Sequence, residues 1–309
     1  MKISVIMLTF NRESLIERAI NSILNQSFRD FEFIIVDNGS TDRSGQIADK
    51  YAERDERIRV IHKERGNIGS GRNAGLDAAK GDFIAFIDDD DYTETNYLEY
   101  LFHLAKEYDA DISVCGSWRE VEGIRQQKYV FDGIYTFDAE NAVYEMLKRE
   151  KFNVGTPTKL IARTLFAHLR YDCSHKYDDI RMTYKIIAQS QKTVVSGVPL
   201  YICTRHSNNN SSGIAQGEVI PPGQIDEYLK AFWERTLWLT EKFPDKADYW
   251  LYTELSYVLS MYEKTSDEMI QEKLKKILRD NETAFLKARR FYTHRDNLLI
   301  QTLERKIFR

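Results

Sequence analysis

The apolar run Phe83-Ile84-Ala85-Phe86-Ile87 ends in four consecutive carboxylates, Asp88-Asp89-Asp90-Asp91. Each ionised carboxylate raises the pKa of its neighbours, so a buried strand that ends this way delivers its charge to a cation. Asp88-x-Asp90 taken alone is weak, because two acids one residue apart are common on surfaces; its place at the tip of an apolar strand sharpens it. The expected ion is Mg²⁺ or Mn²⁺, held by one or two carboxylates, with phosphate oxygens and water filling the remaining positions. A structural Ca²⁺ loop competes, and Glu99 lies twelve positions on, counting Asp88 as one. Tyr92 and Thr93 then fall where an EF-hand places an oxygen ligand and a glycine, so that reading fails. A phosphatase with an aspartyl nucleophile would carry its aspartates on the first strand.

Two more segments could meet a nucleotide. In Asp37-Asn38-Gly39-Ser40-Thr41-Asp42, Gly39 allows a tight turn and Ser40 or Thr41 can cap a helix, which leaves Asp37 at a strand tip to accept hydrogen bonds from a base. A plain strand-to-helix turn would read the same way. In Gly66-Asn67-Ile68-Gly69-Ser70-Gly71-Arg72-Asn73-Ala74-Gly75, glycines at a helix start accompany one fixed cation, so backbone N–H groups and Arg72 favour a phosphate. The glycines match neither the P-loop nor the dinucleotide fingerprint, and helix packing alone would explain Gly75.

The elements that must position these groups are a sheet and its helices. Strands are expected at Ile3 to Leu8, Phe31 to Val36, Ile58 to His62, Phe83 to Ile87 and Asp111 to Cys115. Between the first two, Leu15, Ile16, Ala19, Ile20, Ile23 and Leu24 have helical spacing, and Ser14 with Glu17 has the spacing of a capping box. A second helix follows Asp42 and a third spans Gly71 to Ala79. This alternation specifies a mostly parallel α/β sheet covered on both faces, whose ligands bind beyond the carboxyl ends of the strands. Thr9-Phe10-Asn11-Arg12, Asp37 to Ser40 and Asp88 to Asp91 all fall on that edge. Beyond residue 116 the pattern loosens into shorter strands and loops; Asn208 to Gly213 reads as a mobile polar loop, and Pro221-Pro222 marks a boundary. From Gln224 the chain is helical and aromatic, with Tyr228, Phe232, Trp233, Trp238, Tyr249, Trp250, Tyr252 and Tyr257 read as packing residues before a sugar-stacking platform.

Composition excludes several classes. The chain has 309 residues, 42% hydrophobic and 30% charged, enough for one α/β domain and an added helical piece. A net charge of -4 argues against a nucleic-acid binder held by bulk electrostatics. Met1-Lys2 runs directly into Ile3 to Leu8 without a cleavage site, so no signal peptide is expected, and no apolar run nears the roughly 20 residues of a bilayer span. Cys115, Cys173 and Cys203 suggest small buried hydrophobes rather than disulfides or a zinc site. The basic tail, Lys287 to Phe291 through Arg305 to Arg309, reads as a solvated helix face, with contact to an anionic membrane surface as the alternative.

Four ordered segments carry a resemblance: Val5 to Arg12, Val36 to Asp42, Asn67-Ile68-Gly69 with Arg72 to Gly75, and Phe86 to Asp91. In this order and spacing the chain resembles the family 2 inverting glycosyltransferases, closely over residues 1 to 120 and loosely over 121 to 215. The resemblance implies the GT-A nucleotide-diphospho-sugar transferase fold with a C-terminal helical extension. It divides the chain into a catalytic domain at 1–220, with a nucleotide-binding half at 1–115 and an acceptor-binding half at 116–220, and a helical region at 221–309.

By the same resemblance Thr9, Asn11, Arg12, Asp37, Asn67, Arg72, Asp88 and Asp89 serve the nucleotide-sugar donor, with Arg72 at the uracil or diphosphate and Asp88 near the ribose. Asp90, with Asp88 and His206, holds the metal. The family's base comes from an acidic pair before a helix, commonly Glu-Asp; here Asp178-Asp179 precedes the helix, so Asp179 matches the base and Asp178 replaces the glutamate. A helix N-cap would explain one of the two without catalysis. Pro199-Leu200-Tyr201 and Arg205-His206-Ser207 resemble the segment after the family's last core strand.

The implied reaction moves a sugar, from a UDP-sugar by resemblance, to an acceptor hydroxyl with inversion in cell-surface polysaccharide synthesis. The acceptor expected is a glycan or a lipid-linked glycan. The expected setting is cytoplasmic, with peripheral contact at the inner face of the membrane through the C-terminal region and pairing of the helical tail in a homo-oligomer both left open. Two rivals remain: a nucleotidyltransferase, which would open with a glycine-rich basic loop that Thr9 to Arg12 lacks, and a degenerate sugar-nucleotide-binding or assembly module without transferase activity.

Overall fold

The computed structural model describes residues 1–175, 177–206, 222–291 and 307. Asn208 to Gly213, the boundary at 220/221 and most of the basic tail lie outside the described residues. Two compact units emerge, Met1–His206 and Ser207–Arg309.

Unit 1 is built on a ten-stranded sheet, ordered β3-β2-β1-β4-β9-β6-β10-β5, with β7 added to β6 and β8 to β10. Its first strands are β1 (Ile3–Thr9), β2 (Phe31–Asp37), β3 (Ile58–His62) and β4 (Phe83–Asp88), all mutually parallel where they pair. The near-continuous apolar runs of β1, β2 and β4 follow from burial on both faces, whereas β3, at the sheet edge, leaves Arg59 and His62 exposed. Helices α1 (Ile16–Leu24), α2 (Ser44–Ala52) and α3 (Ile68–Ala78) are the crossovers. α1 buries Ile16, Ala19, Ile20 and Ile23, the stripe expected of it. Its capping box does not form: Leu15 occupies the cap position with no side-chain bond. Nor do Ser40 and Thr41 cap α2, which begins after Arg43 with Asp42 accepting from the Ser44 N–H at 2.9 Å. α3 starts three residues earlier than its glycines suggested, because Asn67 caps it by accepting from the Ser70 N–H at 2.8 Å. Gly75 serves packing: a Cβ there would stand 2.4 Å from Ile6 Cγ2.

The second half of the sheet is mixed. β4 continues through β5 (Tyr92–Thr93) and α4 (Tyr97–Glu107) into β6 (Ile112–Val121), far longer than the strand expected there, then β7 (Ile124–Lys128), β8 (Ile134–Phe137) and α5 (Ala139–Lys148). β9 (Lys159–Ala162) runs antiparallel to both β4 and β6, while β10 (Thr193–Arg205) is parallel to β6. A single reversed strand therefore sits between β4 and β6, and the carboxyl ends of β1, β2, β4, β6 and β10 share one edge. α6 (Asp178–Ile187) precedes β10. Pro199 to Arg205, expected after the last core strand, belong to β10 itself, beyond register shifts at Val195/Pro199 and Pro199/Tyr201. Cys115 is buried as expected, Cys203 partly so, but Cys173 is exposed.

Unit 2 consists of α7 (Pro222–Lys242), α8 (Ala247–Lys264), α9 (Glu268–Asp280) and α10 (Glu282–Lys287), with short 3-10 turns at Pro244–Lys246 and Ala288–Phe291. Phe232, Tyr249, Trp250 and Tyr252 are buried in it, and Phe232 stacks on Tyr257 at 4.2 Å, whereas Trp233 is exposed. Among the described residues no helix is long and apolar enough to cross a membrane.

Candidate active site

The shared strand edge collects the acids. β4 ends at Asp88, and the Asp91 N–H donates to the Asp88 carbonyl at 3.2 Å, closing a turn. That turn breaks strand alternation, so three of the four carboxylates converge instead of two. Asp88, Asp90 and Asp91 each offer an oxygen within 4.8 Å of the others. Asp89 turns away: its carboxylate accepts from the Phe10 N–H at 3.2 Å and lies 3.6 Å from Arg12 Nε. An all-oxygen, carboxylate-rich set fits a hard divalent cation such as Mg²⁺ or Mn²⁺.

The charge of the cluster is costly without such a cation. Asp88 keeps 48% of its side-chain exposure, yet its recess, against the pull of Arg72 and with the push of Asp90, moves its carboxyl up to about 6. Burial, then Asp90, pushes Asp89 up to about 7. Burial, then Asp88 and Asp90, raises Asp91 well above the ordinary carboxylate range, although it accepts from the Thr204 N–H at 2.7 Å and from the Tyr201 hydroxyl. The Tyr201 oxygen in turn accepts from the Asp88 N–H at 3.1 Å. His206 Nε2 lies 3.1 Å from Asp90 Oδ2, at the end of β10.

The donor-side candidates fall into two groups. Thr9 is fully buried at the tip of β1, where its carbonyl accepts from the Asn38 N–H at 2.9 Å. Asn11, in the left-handed region at φ 52, donates its N–H to Ser40 Oγ at 3.1 Å and accepts from the Thr41 N–H at 2.8 Å. The Arg12 N–H donates to Ser44 Oγ at 2.8 Å. These residues stitch the β1–α1 turn to the β2–α2 turn. Asp37 stands beside them, accepting from the Ser40 N–H at 3.0 Å, with His62 Nδ1 3.1 Å from its other oxygen and His62 Nε2 2.9 Å from Asp49. Those bonds, Asp49 first and Asp37 second, raise the His62 pKa. Gly39, at φ 81, allows the turn that follows, and a Cβ there would meet the Arg65 nitrogen at 2.7 Å.

Arg72 joins the acids to the other half of the unit. It is buried, its Nη1 is bonded to Asp178, and its Nη2 lies 3.9 Å from Asp88. Burial opposes its charge, but Asp178, Tyr171 and Asp88 outweigh that and raise its pKa. Asp178 and Asp179 both lie in the first turn of α6, where the helix dipole favours anions, and Tyr177 takes the cap position, so neither aspartate is the N-cap. Asp178 is therefore committed to Arg72, while Asp179, partly buried, accepts the neighbouring Ile180 N–H at 2.9 Å. Burial and the Asp178 charge push Asp179 up to about 6 against Arg72. The segment that delivers α6 is fastened to α3: Asn73 donates to the Tyr171 carbonyl at 2.9 Å and accepts from its N–H at 2.9 Å, and Asn67 donates to the Asp172 carbonyl at 3.4 Å.

The profile of Glycosyl transferase family 2 matches residues 4–170. The chain belongs to glycosyl transferase family 2. Glycosyltransferase GlyG of Streptococcus pneumoniae serotype 4 is 31% identical over 217 residues, 67% of this chain and 72% of GlyG. Glycosyltransferase GlyA of the same organism is 32% identical over 208 residues, 65% of this chain but 30% of GlyA. The GalNAc(5)-diNAcBac-PP-undecaprenol beta-1,3-glucosyltransferase of Campylobacter jejuni is 40% identical over 108 residues, 34% of this chain and 35% of that protein. The family 2 chain thus spans about a third of two of these relatives. Among solved structures, S. aureus TarS 1-349 in complex with UDP-GlcNAc superposes with a TM-score of 0.70 at 21% identity, over 92% of this chain and 82% of that one. The fold is the GT-A fold, a mixed α/β sheet with flanking helices and C-terminal helices.

Asp91, Tyr201, Arg18 and His62 were not singled out as individual site residues from the sequence. Asp91 had a signal in the four-aspartate run, but only the turn at Asp88 decides that it joins the pair. Tyr201 lies in the quoted Pro199-Leu200-Tyr201 segment and His62 at the end of an expected strand, but only sheet pairing brings them to Asp88 and Asp37.

Proposed function

We propose that this family 2 chain transfers a sugar from a UDP-sugar to an acceptor hydroxyl with inversion at the anomeric carbon. The observation that carries the reading is the juxtaposition, through Arg72, of the Asp88-Asp90-Asp91 triplet with the acidic start of α6. In this reading Asp88, Asp90 and Asp91, with His206 beside Asp90, hold Mn²⁺ or Mg²⁺. When bound, the cation supplies positive charge against which the nucleoside diphosphate departs. Arg72 adds a fixed guanidinium at the same place. Asp37 and Asn67 flank the nucleotide, while Thr9, Asn11, Arg12 and Asp89 hold the turns around it.

Asp179 acts as general base. It is not tied to Arg72, and a pKa near 6 leaves it ionised at neutral pH yet basic enough to take a proton from the acceptor hydroxyl. The proton moves to an Asp179 carboxylate oxygen as the hydroxyl oxygen attacks the anomeric carbon and the bond to the diphosphate oxygen breaks. Asp178 orients Arg72 instead of sharing that role. The UDP-GlcNAc bound by TarS supports a UDP-sugar donor, and the lipid-linked glycan in the name of the C. jejuni relative supports an acceptor of that class in polysaccharide synthesis.

The test is a panel of nucleotide sugars with Mn²⁺, read as UDP release and product stereochemistry. Metal-dependent transfer giving an inverted product, lost in Asp179→Asn while that variant still binds UDP, is the expected result. UDP binding without transfer or hydrolysis in the unaltered chain would favour a binding module; release of pyrophosphate in place of UDP would favour a nucleotidyltransferase.

A further inference from the structure

One side chain ties the acid triplet together without occupying its carboxylates. Arg18 lies on α1 beside the buried stripe of Ile16, Ala19, Ile20 and Ile23, and keeps 38% of its side-chain exposure. Its Nη2 donates to the Asp90 carbonyl at 2.7 Å and to Thr204 Oγ1 at 2.8 Å. The Thr204 N–H donates to Asp91 Oδ1 at 2.7 Å. One nitrogen thus joins the backbone of one triplet member to the strand residue that holds another. Two further contacts restrain the guanidinium: Nη1 lies 3.5 Å from Glu120 Oε1, and the group sits over the Tyr92 ring, 4.5 Å from its centroid. Tyr92 donates its hydroxyl to Glu120, and Arg125 contacts both. Glu120, at the end of β6, is only 12% exposed.

We infer that Arg18 is the positioning residue of the cation cradle, setting the distance between Asp90 on the β4 turn and Asp91 against β10. The inference rests on the reading of the triplet as a divalent-cation site. α1 is already buried through its apolar stripe, and ordering an arginine costs rotamer freedom. What that ordering achieves is geometric. The Asp88 to Asp91 carboxylates repel one another, and a turn carrying them opens unless its backbone is held from outside. Arg18 holds it by the carbonyl, which leaves the carboxylate oxygens for the ion. A lysine could reach the same two acceptors with its single nitrogen but could not span to Glu120 while lying flat on Tyr92.

The experiment is Mn²⁺ binding followed by electron paramagnetic resonance at fixed UDP, for the unaltered chain and for Arg18→Met, Arg18→Lys, Thr204→Val and Asp90→Asn. Outer-shell changes of this kind cost about 10- to 100-fold in metal affinity. Arg18→Met is therefore expected to weaken Mn²⁺ at least tenfold, Thr204→Val in the same direction and Arg18→Lys by less. If Arg18→Met folds and binds Mn²⁺ as tightly as the unaltered chain, Arg18 is a surface pin and the inference is overturned. Should Arg18→Met fail to fold, Thr204→Val decides in the same way. If Asp90→Asn also leaves Mn²⁺ binding unchanged, the cradle itself is wrong, a separate failure.

Discussion

Arg72 and Asp178 are bonded side chain to side chain across 106 positions of sequence, both buried, and join α3 to the start of α6. Breaking one side of a buried ion pair costs about 3–5 kcal/mol because the remaining charge is left without its counterpart. Asp178→Asn is therefore expected to lower the melting temperature by several degrees and to reduce transfer through misplacement of Arg72. Differential scanning calorimetry beside a transfer assay checks both effects.

Asp179→Asn should behave differently. Among the described residues Asp179 makes no ion pair, so stability and UDP binding should change little, while kcat falls by about 10²–10⁴, the usual contribution of a general base. Equal losses of stability in the two variants would contradict the division of labour between neighbouring aspartates.

The pH profile follows from the same residue. A carboxyl raised to about 6 keeps its proton below that pH, and a protonated carboxyl cannot act as base. At saturating Mn²⁺, kcat/KM should fall about tenfold per pH unit below 6 and level off above it. A limb near the ordinary carboxylate range, around 4, would point to a different base.

Metal removal should separate the four aspartates. Chelation is expected to abolish transfer, and Asp90→Asn or Asp91→Asn should weaken Mn²⁺, whereas Asp89→Asn, bonded to the Phe10 N–H and near Arg12, should act on the β1–α1 turn and leave metal affinity close to that of the unaltered chain. Without metal, Asp88→Asn should raise the melting temperature, because it removes one of several mutually repelling carboxylates. Titration calorimetry and thermal shift measure the two effects.

A control lies in the core. Gly75→Ala places a methyl 2.4 Å from Ile6 Cγ2, and overpacking of this kind costs about 1–3 kcal/mol. Denaturant unfolding should report that loss with Mn²⁺ affinity unchanged.

β1, β2 and β4 were legible because burial on both faces writes itself as apolar runs, and β3, an edge strand, through its β-branched Ile58, Val60 and Ile61. The helix starts were less so. Ser14 with Glu17 has the right spacing yet makes no cap, and α3 starts at its asparagine instead of its glycines, since capping depends on backbone geometry that spacing does not contain. The second half was hardest. β9 is four residues long and reversed, β10 carries register shifts, and their order in the sheet is set by long-range pairing. In the site, Asp88, Asp90 and Asp179 were visible as local motifs. Asp91 needed the turn, and Arg18 and Tyr201 needed neighbours 72 and 113 positions away.

The reversed strand β9 has one last effect. Because it ends at Ala162 opposite Phe83, remote from the acids, the chain must travel back before α6 can begin, and Tyr171 and Asp172 are moored on α3 at Asn73 and Asn67. The aspartates that open α6 are consequently approached from the helix that bears Arg72. A breathing motion of the sheet would shift these carboxylates and the guanidinium together, and their spacing would survive it.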